Sequence, residues 1–278
     1  LDKFDFIVSP EHDGLEGNNV INTKGAIHYL TEAEITDNKN YLNTFIKNDE
    51  RKIIAFIMGG PTKYYEYSTK NVKRIFTILY NLNKKHDFQL VVIPSMRTPN
   101  NTIQYAKEFF GNNHTVIENI DKKAYLSALA LSEYIVVTCD SSSMISEASL
   151  TGKPVYIANI LPKRNDKRFQ NFRNLFRSLN ITRNLGEPLE NWNYQKLDET
   201  NRVAKIIKEK INLVDFLSKD LRLIKSGSNF KALCPFHNEK TPSFTVNQEK
   251  NSFNCFGCGK SGDIFSYVME KYKIDFKE

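Results

Sequence analysis

Hydrophobic positions along the chain follow two regimes. Up to Lys208, short apolar runs alternate with longer stretches in which apolar residues recur every three or four positions. The runs at 52–58, 89–94, 114–118, 134–138 and 154–159 are rich in Ile, Val and Phe and do not alternate with polar residues. Such runs predict strands covered on both faces, as in a parallel sheet. Between them, residues 71–83 place Val72, Ile75, Phe76, Ile78 and Leu79 on one side of a helix. Residues 102–110, 122–131 and 144–150 follow the same period. Strand and helix in alternation predict right-handed crossovers and a Rossmann-like α/β fold with a doubly wound parallel sheet. After Ser226 the pattern becomes short strand-like runs crowded with Gly, Pro and aromatic residues, which predicts a small separate β module. No internal repeat or flexible linker is visible.

Ligands of doubly wound sheets bind at the carboxyl ends of the strands. Gly59-Gly60-Pro61 follows the 52–58 run, and glycine there lets backbone N–H groups approach a phosphate. An ordinary strand-to-loop turn is the competing reading. After the 134–138 run come Asp140, Ser141, Ser142 and Ser143, leading into Met144-Ile145-Ser146-Glu147. Hydroxyls and helix N–H groups converge there and suit an anion, although a helix N-cap alone would use one of them. A basic stretch, Lys163, Arg164, Lys167, Arg168, Arg173 and Arg177, suits phosphates or an acidic partner, or a solvated helix face. Phe169, Phe172, Leu175 and Phe176 would be its buried side.

Composition narrows the classes. An apolar share of 40% argues against bulk disorder. Four cysteines in 278 residues do not make a disulfide scaffold. The longest apolar run, Ile53–Met58, is far below the roughly 20 residues that span a bilayer. Leu1 opens directly into strand-like sequence with no leader pattern, so membrane insertion is not expected and a cytoplasmic location is. The net charge of +7 suggests an anionic partner only weakly. Residues 209–278 hold 11 Lys+Arg against 9 Asp+Glu, so the excess is spread over the chain.

The cysteines themselves change the picture. Cys139 stands alone at the end of an apolar run and reads as a buried small residue. The other three form Cys234-x(2)-His237, seventeen residues, then Cys255-x(2)-Cys258. Two ligand pairs on two knuckles can close a tetrahedron around one Zn(II) ion, with every position filled by protein. Disulfides or idle thiols are the alternatives, and an iron–sulfur cluster would normally take four thiolates. Gly257 and Gly259 are expected to supply positive φ in the second knuckle. Lys231, Lys240 and Lys260 around the ligands are candidates to meet phosphates, and Phe256 at the knuckle tip to stack on an unpaired base. Phe244 and Phe253 are assigned to the small core.

Two resemblances follow from these motifs. Pro10-Glu11-His12-Asp13, Gly25-Ala26-Ile27-His28, Gly59-Gly60-Pro61, Ser95-Met96-Arg97-Thr98-Pro99 and the segment from Asp140 to Ala148 resemble, in that order, the mitochondrial-fission ELM family. The likeness covers 1–208 and implies one half of a GT-B-like architecture, whose other half would precede this segment. By that analogy Gly59, Gly60, Ser141, Ser143 and Glu147 would line a nucleotide-sugar site, and a glycosyltransferase-like activity is the alternative function. Residues 210–278 resemble the N-terminal zinc-binding domain of bacterial DNA primases of the DnaG type. The motif residues are Asn212 to Leu217, Phe230 to Phe244, Phe253 to Asp263 and the expected helix from Ile264 to Tyr272. This likeness implies a zinc ribbon that binds single-stranded DNA template, with other primosome proteins as partners. A catalytic Toprim domain would follow Phe276-Lys277-Glu278, so primer synthesis is not expected of these 278 residues alone. A natural fusion and a fragment across two genes both fit that pattern.

Overall fold

The computed structural model describes residues 4–47 and 50–274. Leu1 and the segment Phe276-Lys277-Glu278 lie outside the described residues, as do the outermost ends of the two expected domains. The chain divides into two compact units, Leu1–Thr200 and Asn201–Glu278.

The first unit opens with β1 (Ile7–Pro10) and β2 (Val20–Thr23), a separate parallel pair, then a short helix α1 (Glu32–Asp37). Six further strands form one parallel sheet: β3 (Ile53–Met58), β4 (Gln89–Pro94), β5 (Thr115–Val116), β6 (Tyr134–Thr138), β7 (Val155–Ala158) and β8 (Thr182–Asn184). The helices between them are α2 (Thr69–His86), α3 (Asn100–Phe110), α4 (Lys122–Leu131), α5 (Ser142–Ser149) and α6 (Lys167–Ser178). The spatial order β5-β4-β3-β6-β7-β8 reverses direction between β3 and β6. That reversal is the topological switch of a doubly wound sheet, and it opens a crevice at the carboxyl ends of those two strands.

Burial explains the apolar runs. Every residue of β4, β6 and β7 is buried, because helices cover both sheet faces. Ile54, Phe56, Val136 and Tyr156 lie in a single core with Phe76 of α2 and Phe172 and Phe176 of α6. Phe169 and Leu175 of the expected buried side are only half-buried.

The elements depart most from the sequence expectation at α2, β5 and β8, while α3, α5, β3 and β7 shift by one or two residues. Helix α2 runs on to His86, with Lys84, Lys85 and His86 in its last turn, where cations meet the negative helix end. Strand β5 keeps two residues of the five expected, since it is an edge strand with one partner. Strand β8 was not expected at all: Thr182, Arg183 and Asn184 carry no apolar signal and extend only because β7 offers them a ladder.

Helix α7 (Glu199–Lys210) runs across the division between the units. The second unit continues with α8 (Leu213–Ser218), β9 (Ile224–Ser226), β10 (Asn229–Ala232), β11 (Phe244–Asn247), β12 (Ser252–Cys255), β13 (Ser261–Gly262) and α9 (Ile264–Tyr272). Its sheet is antiparallel, in the order β13-β12-β11-β10-β9. Asn212 caps α8, and Asp263 caps α9 by accepting from the Phe265 and Ser266 amides. One sheet face, carrying Ala232, Phe244, Val246 and Phe253, packs with Leu213, Leu217 and Tyr267 into a small core of its own. Phe244 and Phe253 stack there at 5.0 Å.

Candidate metal centre and the sheet face beside it

The first ligand pair lies on the turn after β10 and the second at the end of β12, two strands that flank β11. The antiparallel register sets Phe244 opposite Cys255, so the two turns fold toward one another at the same end of the sheet. One ligand atom each from Cys234, His237, Cys255 and Cys258 lies within 4.8 Å of all the others. Cys234 Sγ stands 3.9 Å from Cys258 Sγ, and Cys255 Sγ stands 3.9 Å from His237 Nδ1. A tetrahedron with Zn–S bonds of about 2.3 Å has edges of about 3.8 Å, so the donors are spaced to share one small ion.

Backbone amides support the sulfurs. The Phe236 N–H donates to Cys234 Sγ and the Cys258 N–H to Cys255 Sγ, both at 3.4 Å. The two glycines of the second knuckle serve different ends. Gly259 has φ +74°, as expected. Gly257 does not have positive φ: a Cβ there would stand 2.6 Å from His237 Nε2 and 2.7 Å from Ser243 Oγ, so its requirement is close approach.

The electrostatics also call for a cation. Burial raises the Cys255 thiol, but the Cys258 and Gly257 N–H groups pull against it and the thiol is lowered on balance. Burial pushes the Cys234 thiol up to about 12, against the pull of the Phe236 N–H. Thiolates this close would repel one another, and a positive ion among them would relieve that. The chemistry of the donors and their spacing therefore fit zinc.

Two further side chains contribute to the centre. The Glu239 carboxylate accepts from the Cys234 amide at 2.6 Å, from the Ser243 amide at 3.1 Å and from the Ser243 hydroxyl at 2.5 Å. His237 Nε2 lies 3.2 Å from the same carboxylate. Ser243 Oγ in turn lies 3.2 Å from Cys255 Sγ. Both lie inside the Phe230 to Phe244 motif, which assigns them no role of their own.

The other face of the sheet is exposed at Ile224, Lys231 and Ser261, half-buried at Asn254, and closed over the Thr245 hydroxyl. Lys231 pairs in register with Ile224 and Thr245, Thr245 with Asn254, and Asn254 with Ser261. Side chains alternate across a strand, so these residues form one row on the face opposite the core. Lys231 and Lys240 are exposed, with no ion pair to them among the described residues. Phe256 is 77% exposed at the knuckle tip. Lys260 differs: its ammonium is ion-paired with Glu270 and sits 5.3 Å from the Phe236 ring centre.

The candidate anion residues of the first unit lie at the carboxyl ends of β3 and β6, and several of them are engaged with neighbouring groups. The Gly59 N–H donates to Thr138 Oγ1 at 2.8 Å and the Gly60 N–H to Asp140 Oδ2 at 3.1 Å, so neither is free for a phosphate. Arg97 closes the crevice, 2.9 Å from Asp140 Oδ2 and 3.2 Å from the Gly60 carbonyl, and the Tyr67 hydroxyl donates to Asp140 Oδ1 at 2.6 Å. Added Cβ atoms would strike Asp140 at Gly59 and the Arg97 carbonyl at Gly60. These glycines serve close packing. Ser141 caps α5 by accepting from the Met144 amide, and Ser143 is exposed on the first turn. Glu147 accepts the Tyr125 hydroxyl at 2.5 Å. Of the basic stretch, Arg168, Arg173 and Arg177 are ion-paired with Asp13, Asp166 and Glu187. Cys139 is buried, and its sulfur accepts the Ile160 amide at 3.2 Å. No helix of the described residues is long and apolar enough to cross a membrane.

With this geometry in view, comparison with known proteins assigns both units. Residues 1–211 match the family model described as mitochondrial fission ELM1, and residues 199–278 match the CHC2 zinc finger. The DNA primase of Listeria monocytogenes is 47% identical over 72 residues, 26% of this chain. The chain spans only 12% of the length of that relative. Among solved structures, the Aquifex aeolicus primase, comprising zinc-binding and RNA polymerase domains, is 42% identical over 26% of this chain and 18% of that one, with a TM-score of 0.25. A UDP-GlcNAc 2-epimerase from Neisseria meningitidis, bound to UDP-GlcNAc, is 17% identical over 75% of this chain and 57% of its own, with a TM-score of 0.38.

Proposed function

We propose that this chain, which belongs to the mitochondrial fission ELM1 family, uses its CHC2 zinc finger to bind single-stranded DNA template. In this reading one Zn(II) ion is held by Cys234, His237, Cys255 and Cys258. The ion has a structural role: four protein donors leave no position for a reacting water. It fixes the two knuckles, and these fix the sheet face beside them.

The observation that carries the reading is that face. Lys231, Asn254 and Ser261 offer a cation and hydrogen-bonding groups on that face, with the exposed Phe256 ring at the knuckle tip. A polar face with an aromatic platform suits a strand whose bases are unpaired. Lys231 and Lys240 meet phosphates, and Phe256 stacks. Lys260 contributes only after leaving Glu270. The setting is DNA replication in the cytoplasm, with other primosome proteins as partners, in keeping with the primase relatives.

The test is fluorescence anisotropy of a labelled oligonucleotide, with and without a chelator. Binding is expected to weaken steeply with salt and to vanish with the metal. Equal binding by the chelated protein or by Cys255→Ser would overturn the reading. No nucleotide-sugar site is proposed for the α/β unit. Its Gly59 and Gly60 N–H groups already have acceptors, so a phosphate would have to displace Thr138 and Asp140.

A further inference from the structure

Glu239 meets both ligands of the first knuckle at once. Its carboxylate takes the amide of Cys234 and faces His237 Nε2 at 3.2 Å. Through the Ser243 hydroxyl, which it also holds, it reaches the sulfur of Cys255 on the second knuckle. Three of the four donors are thus tied to one side chain that is itself not a donor. The imidazole has two nitrogens, and the one that carries the proton cannot bind a metal. A carboxylate beside Nε2 holds the proton there. The lone pair is then on Nδ1, the nitrogen 3.9 Å from Cys255 Sγ.

We infer that Glu239 is the positioning residue of the metal centre, selecting Nδ1 of His237 as the metal-binding nitrogen and locking the first knuckle for capture of the ion. The inference rests on the zinc reading of the four donors and is independent of DNA binding. Carboxylates that accept from a metal-bound imidazole typically change metal affinity by about 10- to 100-fold. Glutamine is a demanding replacement here. Its amide can accept from one or two of these groups, but its NH₂ would confront the N–H and O–H donors that the second carboxylate oxygen now receives.

The experiment uses the full chain in three forms: unaltered, Glu239→Gln, and Glu249→Gln as a control elsewhere on the same unit. Zinc affinity is measured by competition with a chromophoric chelator. The nitrogen that binds is read by long-range proton–nitrogen NMR of the His237 ring, and the donor set by the absorption bands of the cobalt(II) form. The expected result is Nδ1 coordination in the unaltered protein, and zinc affinity about 10- to 100-fold weaker in Glu239→Gln with an altered imidazole signal. Glu249→Gln is expected to match the unaltered chain. Coordination through Nε2, or equal affinity and an equal ring signal in Glu239→Gln, would overturn the inference. If Glu239→Gln fails to fold, the ring nitrogen in the unaltered chain still decides it. A chain that binds no metal at all would instead defeat the zinc reading itself.

Discussion

The switch-point crevice of the α/β unit and the outer sheet face of the zinc unit are both polar surfaces laid over apolar sheets, yet they are built in opposite ways. In the crevice, the polar groups satisfy one another: Gly60 and Tyr67 donate to Asp140, Arg97 pairs with it, and Thr138 takes Gly59. On the outer face Lys231 has no ion pair among the described residues, nor has Lys240 on the loop between β10 and β11, and Phe256 past the end of β12 is left in solvent. The difference teaches where binding capacity lies. At the strand ends the suggestive donors already have acceptors, whereas Lys231 and Phe256 of the second unit are left to solvent. The units also differ in what holds them. The first has an extensive core across six strands, and the second has a small core that leaves its two knuckles to a metal.

Removing the ion should break this comparison most sharply. Structural zinc contributes about 10–16 kcal/mol of apparent binding energy in small fingers. Chelation is therefore expected to abolish protection from hydrogen exchange across 213–272 while the α/β unit keeps its melting temperature. Joint melting of both units would contradict it. The converse is a core truncation in the first unit. Phe56 is fully buried, so Phe56→Ala should lower its stability by about 3–5 kcal/mol in urea titration while zinc affinity is unchanged.

A third change attacks the closed crevice itself. The Asp140 side chain is fully buried and Arg97 is partly exposed. Asp140→Asn should cost about 2–3 kcal/mol, less than a fully buried pair would, and leave the Arg97 charge uncompensated. Inorganic phosphate should then raise the melting temperature of this variant and leave the unaltered chain where it was.

Smaller effects sharpen the contrast. Burial raises the Glu147 carboxyl above its ordinary range, with the Tyr125 hydroxyl pulling against it. A carboxyl raised in the folded state binds protons that the unfolded chain releases, so its contribution is present below pH 4.5 and is lost as pH rises through the folded value. Glu147→Gln should thus flatten the pH dependence of the first unit and raise its stability at pH 7, read from melting temperatures across a pH series. Lys231→Ala should weaken single-strand binding about threefold and reduce the salt slope by about 0.7, as one lost phosphate contact would. An unchanged slope in a titration from low to high salt would remove Lys231 from the interface.

Much of this was readable from residue order. Apolar runs without alternation gave five strands of the parallel sheet, because burial on both faces leaves a local signature in composition. The Cys/His spacing gave the metal cluster, because a knuckle is a short local turn. Strand β8 was not readable, since Thr182 to Asn184 are extended only by their pairing with β7. The reason for Gly257 was misread for a related cause: its restriction comes from His237 and Ser243, which lie 20 and 14 positions away.

The sequence by itself determined the two regimes, the order of strands and helices, and the four donors, all of which depend on spacing along the chain. Only the tertiary structure decided which polar groups remain available. Asp140 meets Gly60 across 80 positions, and Ser243 meets Cys255 across two strands. Whether a donor is free is a property of what folding brings beside it, and no local pattern encodes that.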